Sequence, residues 1–123
     1  MVIHHVQLAA PAECESTARK FYGDLLGLKE IAKPPELAKR GGVWFALGAS
    51  ECAQELHIGV EVDFYPARKA HPAFRVTDLD ALRSKFERAG YPTTSDDLFS
   101  DYLRFYVSDP FGNRLEFLQI RNA

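Results

Sequence analysis

The segment FYVSDPFGNRLEF at residues 105–117 predicts two strands joined by a tight turn. Its centre, residues 109–113, combines Asp, Pro, Gly and Asn, the residue types that favour turns. Apolar residues alternate with polar ones on both sides of this centre, which is the period of a half-buried strand. The pattern therefore predicts strands over 102–107 and 114–120.

The residues before this hairpin complete a β-α-β-β-β order. A strand is predicted over 70–76 and another over 91–94. Between them, apolar residues recur at helical spacing after Asp78, a residue type that favours the helix N-cap, and Gly90 suits the position just past the helix end. The second half of the chain is therefore one module with four strands and one helix.

The first half repeats the same order. A strand over 2–10 is followed by a helical pattern that ends at Gly27, and further strands are predicted over 28–32, 42–47 and 54–60. The modules span about 1–62 and 70–123, and 63–69 connects them. Neither half alone could bury both its sheet and its helix, so residues 1–123 are predicted to form a single domain of the α+β class.

Composition narrows the possible functions. The chain has 123 residues, of which 46% are hydrophobic and 26% charged, and a net charge of −2. It lacks a basic run of the kind that binds nucleic acid, an apolar run of the roughly 18 residues that a membrane span needs, and a signal-peptide pattern. Two cysteines, Cys14 and Cys52, are too few for a disulfide scaffold. We expect a cytoplasmic protein with no nucleic-acid or membrane partner.

Strand alternation assigns four potential metal ligands to one face of the predicted sheets. His5 lies opposite Val6 and Leu8 in the parity of the first strand, and His57 lies opposite its apolar neighbours in the fourth. His71 and Glu116 hold the matching positions of the second module. If the modules are arranged around a pseudo-twofold axis, these four residues converge.

Three imidazoles and one carboxylate suit a borderline divalent ion such as zinc, iron, manganese, nickel or cobalt, and the identity of the metal stays open. His4 falls on the opposite, helix-facing side of its strand. We therefore predict one divalent ion bound by His5, His57, His71 and Glu116, with His4 outside the site. The alternative is three protein ligands plus water, with His57 as the residue that is absent.

The repeated module and several motifs resemble the vicinal oxygen chelate superfamily, which includes glyoxalases, fosfomycin-resistance transferases, bleomycin-resistance proteins and extradiol dioxygenases. The resemblance covers nearly the whole chain. It rests on the following segments: IHHVQL at 3–8, ARKFY at 18–22, LLGL at 25–28, HPAFRV at 71–76 and, most specifically, DPFGN at 109–113 leading into LEF at 115–117.

The resemblance implies an open, cupped mixed sheet built from both modules, with helices on its convex face and a metal on its concave face that chelates two neighbouring substrate oxygens. His5, His71 and Glu116 match the family's two-histidine, one-carboxylate set, and Glu116 is the predicted catalytic carboxylate. His57 departs from the glyoxalase pattern, in which a glutamate usually serves as ligand and base. Glu55 has the same parity and could replace it in that role.

Four further side chains are predicted to contact a small polar or anionic substrate. Arg75 and Arg104 carry guanidinium groups that suit carboxylate or phosphate, and Trp44 and Tyr106 offer aromatic surface on the same face.

Two classes of function remain open on the sequence alone. The first is a glyoxalase-like metalloenzyme with isomerase, lyase or thiol-transferase chemistry; an extradiol dioxygenase is disfavoured because such relatives usually carry four modules. The alternative is a non-catalytic protein that binds a small molecule or antibiotic, as the bleomycin-resistance branch does. The resemblance also implies a homodimer.

Overall fold

A computed structural model describes residues 1–122. The chain divides into two compact units, Met1–Pro66 and Ala67–Ala123. The division falls inside the predicted connection at 63–69.

The first unit is a four-stranded mixed sheet with two helical segments. Its strands are β1 (His5–Ala10), β2 (Lys29–Ile31), β3 (Val43–Ala46) and β4 (Glu55–Val60), in the order β1-β4-β3-β2. Strands β1 and β4 are parallel, and the other pairs are antiparallel. Helix α1 begins at Glu15–Ala18 and continues as a π-helix over Arg19–Leu25, while α2 is the single turn Pro35–Ala38.

The second unit repeats this topology. Its elements are β5 (Ala73–Arg75), α3 (Leu79–Arg88), β6 (Thr94–Asp96), β7 (Tyr102–Ser108) and β8 (Arg114–Ile120). The strand order is β5-β8-β7-β6, again with the first and last strands of the unit parallel at one side of the sheet. The predicted α+β class and the internal repeat are confirmed.

Each unit buries the apolar face that strand alternation predicts. In the first unit, Leu56 and Ile58 of β4 are fully buried, as are Phe21 and Tyr22 of the helix. In the second unit the rings of Phe86, Phe105 and Phe117 form the centre of the core, with ring centroids 5.5–6.1 Å apart. The opposite face of each strand is thereby left to the polar side chains.

The turn between β7 and β8 is held by the buried side chain of Asp109. Its Oδ1 accepts hydrogen bonds from the backbone N–H groups of Phe111 and Asn113, at 2.9 and 2.8 Å, and its Oδ2 accepts from the Asn113 side chain at 3.0 Å. This network fixes where β8 begins and hence the register that pairs Tyr106 with Glu116.

Three local predictions need correction. Strand β6 begins at Thr94, where the predicted strand ended, because the residues before it stay attached to α3: Tyr91 N–H donates to Phe86 O, and Thr93 N–H donates to the Glu87 carboxylate. The first helix widens to a π-helix, with Leu26 N–H donating to Phe21 O. The prolines at 34–35, interpreted as a break between strands, start α2, where proline suits the first helical turn.

No helix within residues 1–122 has the length and apolar character needed to cross a membrane.

Candidate metal centre

Three aromatic rings stack on the polar face of the first unit. Trp44 of β3 and His57 of β4 are register partners, and their rings lie parallel with centroids 3.8 Å apart. The His5 ring of β1 stacks on His57 with centroids 4.1 Å apart. The two candidate ligands of this unit are therefore adjacent, and Trp44 fixes the ring plane of His57.

Glu55 fixes the tautomer of His57. Burial lowers the pKa of His57 from its ordinary value of 6.5, so the ring is neutral near pH 7. Its Nε2 lies 2.9 Å from Glu55 Oε1, and because a carboxylate only accepts, Nε2 carries the hydrogen. The lone pair of His57 is therefore on Nδ1.

His4 is exposed and lies beside the candidate ligand His5. The Nδ1 atoms of the two rings are 3.0 Å apart, so one donates a hydrogen bond to the other. His4 thereby engages Nδ1 of His5, and Nε2 of His5 has no hydrogen-bond partner among residues 1–122.

In the second unit, His71 and Glu116 are in direct contact. His71 Nε2 lies 2.8 Å from Glu116 Oε1, and His71 Nδ1 lies 2.7 Å from the carbonyl oxygen of Lys69. A carbonyl oxygen only accepts, so Nδ1 carries a hydrogen and Nε2 of the neutral ring is an acceptor. The 2.8 Å separation is a hydrogen-bond distance, with a proton between the two atoms, and a metal ion that binds both atoms would take the place of that proton.

The other oxygen of Glu116 is bound by Arg104. Arg104 Nη1 lies 3.2 Å from Glu116 Oε2, and Arg104 Nη2 lies 3.2 Å from Asp96 Oδ1. The Glu116 side chain is only 6% exposed, so its negative charge is placed in a protein interior and is matched there by Arg104. Arg104, predicted as a substrate contact, thus has both terminal nitrogens engaged by carboxylates.

The remaining predicted substrate contacts differ in their surroundings. Arg75 is exposed and forms no ion pair within the part of the chain that the structure describes. Tyr106 lies edge-on to His71, with ring centroids 5.5 Å apart. Arg114 was not among the predicted site residues, and its guanidinium lies 4.1 Å from the centre of the Tyr106 ring. Its position two residues before Glu116 on the same strand was the available signal.

The donor chemistry fits a borderline divalent ion. Imidazole nitrogen and carboxylate oxygen are the ligands such ions prefer, and ligating histidines characteristically hydrogen-bond a neighbour through their other ring nitrogen. His5, His57 and His71 all do so, through His4, Glu55 and Lys69 O. Among the described residues, no group of three or more His, Cys, Asp or Glu side chains is arranged to hold a metal ion. Each unit supplies two of the four predicted donors.

The sequence profile of the Glyoxalase/Bleomycin resistance protein/Dioxygenase superfamily matches residues 3–117. The structure of a protein assigned to the glyoxalase family, from Bacillus anthracis, is similar with a TM-score of 0.92 and 50% sequence identity, over 98% of this chain and 96% of that one. A comparison with curated protein sequences finds no match.

Two more distant structures share the fold. Lactoylglutathione lyase from Agrobacterium tumefaciens has a TM-score of 0.72 at 23% identity, over 96% of this chain and 92% of that one. TnmS3, an antibiotic binding protein from Streptomyces sp. CB03234, has a TM-score of 0.72 at 18% identity, over 98% and 97%. At these identities the likeness extends to the fold alone.

Proposed function

The chain belongs to the Glyoxalase/Bleomycin resistance protein/Dioxygenase superfamily, and on that premise we propose that it is a small metalloenzyme acting on a polar or anionic substrate. One divalent ion, of zinc, iron, manganese, nickel or cobalt type, is bound by four side chains in this proposal: His5, His57, His71 and Glu116. The chemistry is of the isomerase, lyase or thiol-transferase type.

The contact between His71 and Glu116 carries the proposal. Lys69 O assigns the hydrogen of the His71 ring to Nδ1, so the Nε2 lone pair is directed at the carboxylate of Glu116, 2.8 Å away. A divalent ion bound in place of the hydrogen-bonding proton would use both atoms as ligands, once they move slightly apart. A proton is the competing explanation, and the two are separated by whether the protein takes up metal.

The surroundings of the histidines support the same assignment. The hydrogen bond to Glu55 keeps the His57 hydrogen on Nε2. The Nδ1 atom of His57 therefore carries the lone pair that would bind a metal ion. The His57 ring is stacked between the rings of Trp44 and His5, and these two contacts keep it from rotating. A preset ring costs less conformational entropy to bind an ion than a mobile one does.

A bound divalent ion would supply Lewis-acid polarisation of two neighbouring substrate oxygens. The protein's own contribution follows from its charges. His57 is a neutral donor where glyoxalases usually have a glutamate, so the donor set carries a single carboxylate, Glu116, which is the proposed catalytic residue. This set favours electrophilic activation of substrate and lacks a second carboxylate base among the four donors. Glu55 supplies a carboxylate beside that position, with its Oε1 2.9 Å from His57 Nε2.

Substrate contacts are proposed at Arg75, Trp44 and Tyr106. The exposed guanidinium of Arg75 can form paired hydrogen bonds with a carboxylate or phosphate. Trp44 and Tyr106 are half-buried and present ring surface beside the candidate ligands. Arg104 is left out of this set because its terminal nitrogens are already bound to Asp96 and Glu116.

Metal titration of chelator-treated protein by calorimetry tests the proposal. We expect one zinc, manganese, nickel or cobalt ion per chain, and marked loss of affinity in the His71→Ala and Glu116→Gln variants. His4→Ala is a control for stoichiometry alone: it removes a histidine that is no ligand in the proposal, so one ion per chain should still bind, with lower affinity because His4 hydrogen-bonds the ligand His5. A wild-type protein that takes up none of these ions would instead favour the non-catalytic binding protein.

Superfamily members bind small molecules and commonly form dimers, and we propose a homodimer for this chain. Light scattering at micromolar concentration should give twice the 13.8 kDa chain mass. A monomer mass would refute the dimer. The cytoplasmic location stays a prediction from the sequence.

A further inference from the structure

We propose that Arg104, braced by Asp96, is the positioning residue of Glu116: it binds Oε2 of that carboxylate and thereby presents Oε1 toward His71. The role differs from the substrate contact that the sequence predicted for Arg104. It deepens the proposed function, on which its metal-binding consequence rests, because it concerns how one proposed ligand is oriented.

Strand register brings the three residues together. Asp96 of β6 is the direct partner of Arg104 on β7, and Glu116 of β8 is the partner of Tyr106, two residues further along β7. All three side chains therefore lie on one face of the second sheet. Arg104 lies between two carboxylates and reaches one with each terminal nitrogen, at 3.2 Å in both cases.

Aromatic contacts hold the guanidinium in that position. Its central carbon lies 5.4 Å from the ring centre of Phe99 and 5.4 Å from that of Tyr106. Its third nitrogen, Nε, is buried without a hydrogen-bond partner among the described residues. A buried donor left unpaired is unfavourable, so the arrangement is maintained by the two ion pairs and the flanking rings.

Asp96 is itself anchored. Its Oδ1 accepts a 2.8 Å hydrogen bond from Leu98 N–H as well as the contact from Arg104. The Leu98 N–H lowers the pKa of Asp96 below its ordinary 3.8, so this carboxylate is ionised wherever the protein is folded near neutral pH. The chain of contacts therefore runs from backbone to Asp96, Arg104, Glu116 and His71.

As a consequence, Arg104 fixes one oxygen of the Glu116 carboxylate, and the other oxygen is directed toward His71. With Oε2 held by Arg104, Glu116 is predisposed to ligate through Oε1 alone, the atom already 2.8 Å from His71 Nε2. Hydrogen-bonded partners of metal ligands typically change metal affinity by about 10- to 100-fold when mutated.

The test combines Arg104→Gln, Asp96→Asn and the control Arg83→Gln. Arg83 carries the same charge on α3 of the same unit, where it bonds Thr93. With zinc chloride as the titrant in calorimetry, we expect Arg104→Gln to weaken binding by about 10- to 100-fold. Asp96→Asn should weaken it in the same direction by less, and Arg83→Gln should leave it unchanged. Arg104→Lys keeps the positive charge but replaces the two terminal guanidinium nitrogens by a single ammonium group, so it should recover only part of the zinc affinity.

A second measurement needs no metal. In the metal-free protein, a double-mutant cycle of Arg104→Gln and Glu116→Gln should be non-additive by a factor of roughly 2 to 150 in the unfolding equilibrium constant. If wild-type protein binds no zinc, the metal proposal fails and this cycle alone decides the role of Arg104. Additivity in the cycle overturns the inference, and so does zinc affinity in Arg104→Gln within twofold of wild type.

Discussion

Replacing His57 by glutamate would restore the residue type that glyoxalases usually carry at this position, and the structure predicts its cost. His57 is buried, stacks on two rings and donates its Nε2 hydrogen to Glu55. A glutamate removes both ring contacts and the hydrogen-bond donor. It also places a second carboxylate beside that of Glu55.

Two terms set the size of the effect in metal-free protein. Ring contacts such as those at 4.1 and 3.8 Å contribute about 0.5–1.5 kcal/mol each, so their loss costs about 1–3 kcal/mol. Two carboxylates about 4 Å apart repel by up to about 4 kcal/mol at an effective dielectric of 20, and rotation of the exposed end of Glu55 relieves part of this. We expect His57→Glu to lower the free energy of unfolding by about 3–5 kcal/mol.

His57→Gln is the matched control, since glutamine has the same length and no charge. It should cost only the ring term of about 1–3 kcal/mol. Urea unfolding of both variants with chelator present measures the difference, and added zinc should stabilise the glutamate variant more because binding to the folded state is linked to stability. Equal stability of the two variants without metal would refute the electrostatic reasoning.

The wild type should convert the glutathione–methylglyoxal adduct weakly or not at all, because His57 stands where glyoxalases usually have a glutamate. Turnover at ordinary rates of about 1–10³ per second would refute the argument from His57.

Two further predictions concern the fold. Asp109→Ala removes the acceptor of three hydrogen bonds, two of which come from buried Asn113, so it should lower the free energy of unfolding by about 2–5 kcal/mol in a urea titration. A loss below about 1 kcal/mol would contradict the turn's role. Burial raises the pKa of Cys14 to about 11, above the 9.0 of a free thiol. The neutral thiol therefore stabilises the folded state fully below pH 9, and this contribution to stability is lost as the pH rises toward 11. A thiol reagent at pH 8 should therefore label exposed Cys52 rapidly and Cys14 only after unfolding, and rapid labelling of two thiols in folded protein would contradict this.

The features of the fold that follow from local chemistry could be predicted from the sequence. Asp78 accepts the N-cap hydrogen bond of α3, and Gly27 and Gly90 have positive φ angles where the helices were expected to end. The alternation that separates His57 from Leu56 needs only the period of a strand. These features depend on few neighbours along the chain.

What the sequence analysis missed depends on contacts between distant residues. The start of β6 was misplaced because Thr93 bonds Glu87, a contact that apolar periodicity does not report. Arg104 was predicted as a substrate contact, and no spacing rule indicates that register would place it between Asp96 and Glu116. The stack on His57 likewise requires the register of three strands.

The location of a bound metal ion distinguishes a metal centre from a hydrogen-bonded pair of His71 and Glu116. Crystals of the zinc-loaded protein, measured at the zinc absorption edge, should show one anomalous peak per chain bonded to both His71 Nε2 and Glu116 Oε1, with nitrogen-to-zinc distances of about 2.0–2.2 Å and the two side chains moved apart from their 2.8 Å contact. His5 and His57 should complete the set of protein ligands. A peak at other residues, or His71 and Glu116 in direct contact without a peak at saturating zinc, would contradict the account.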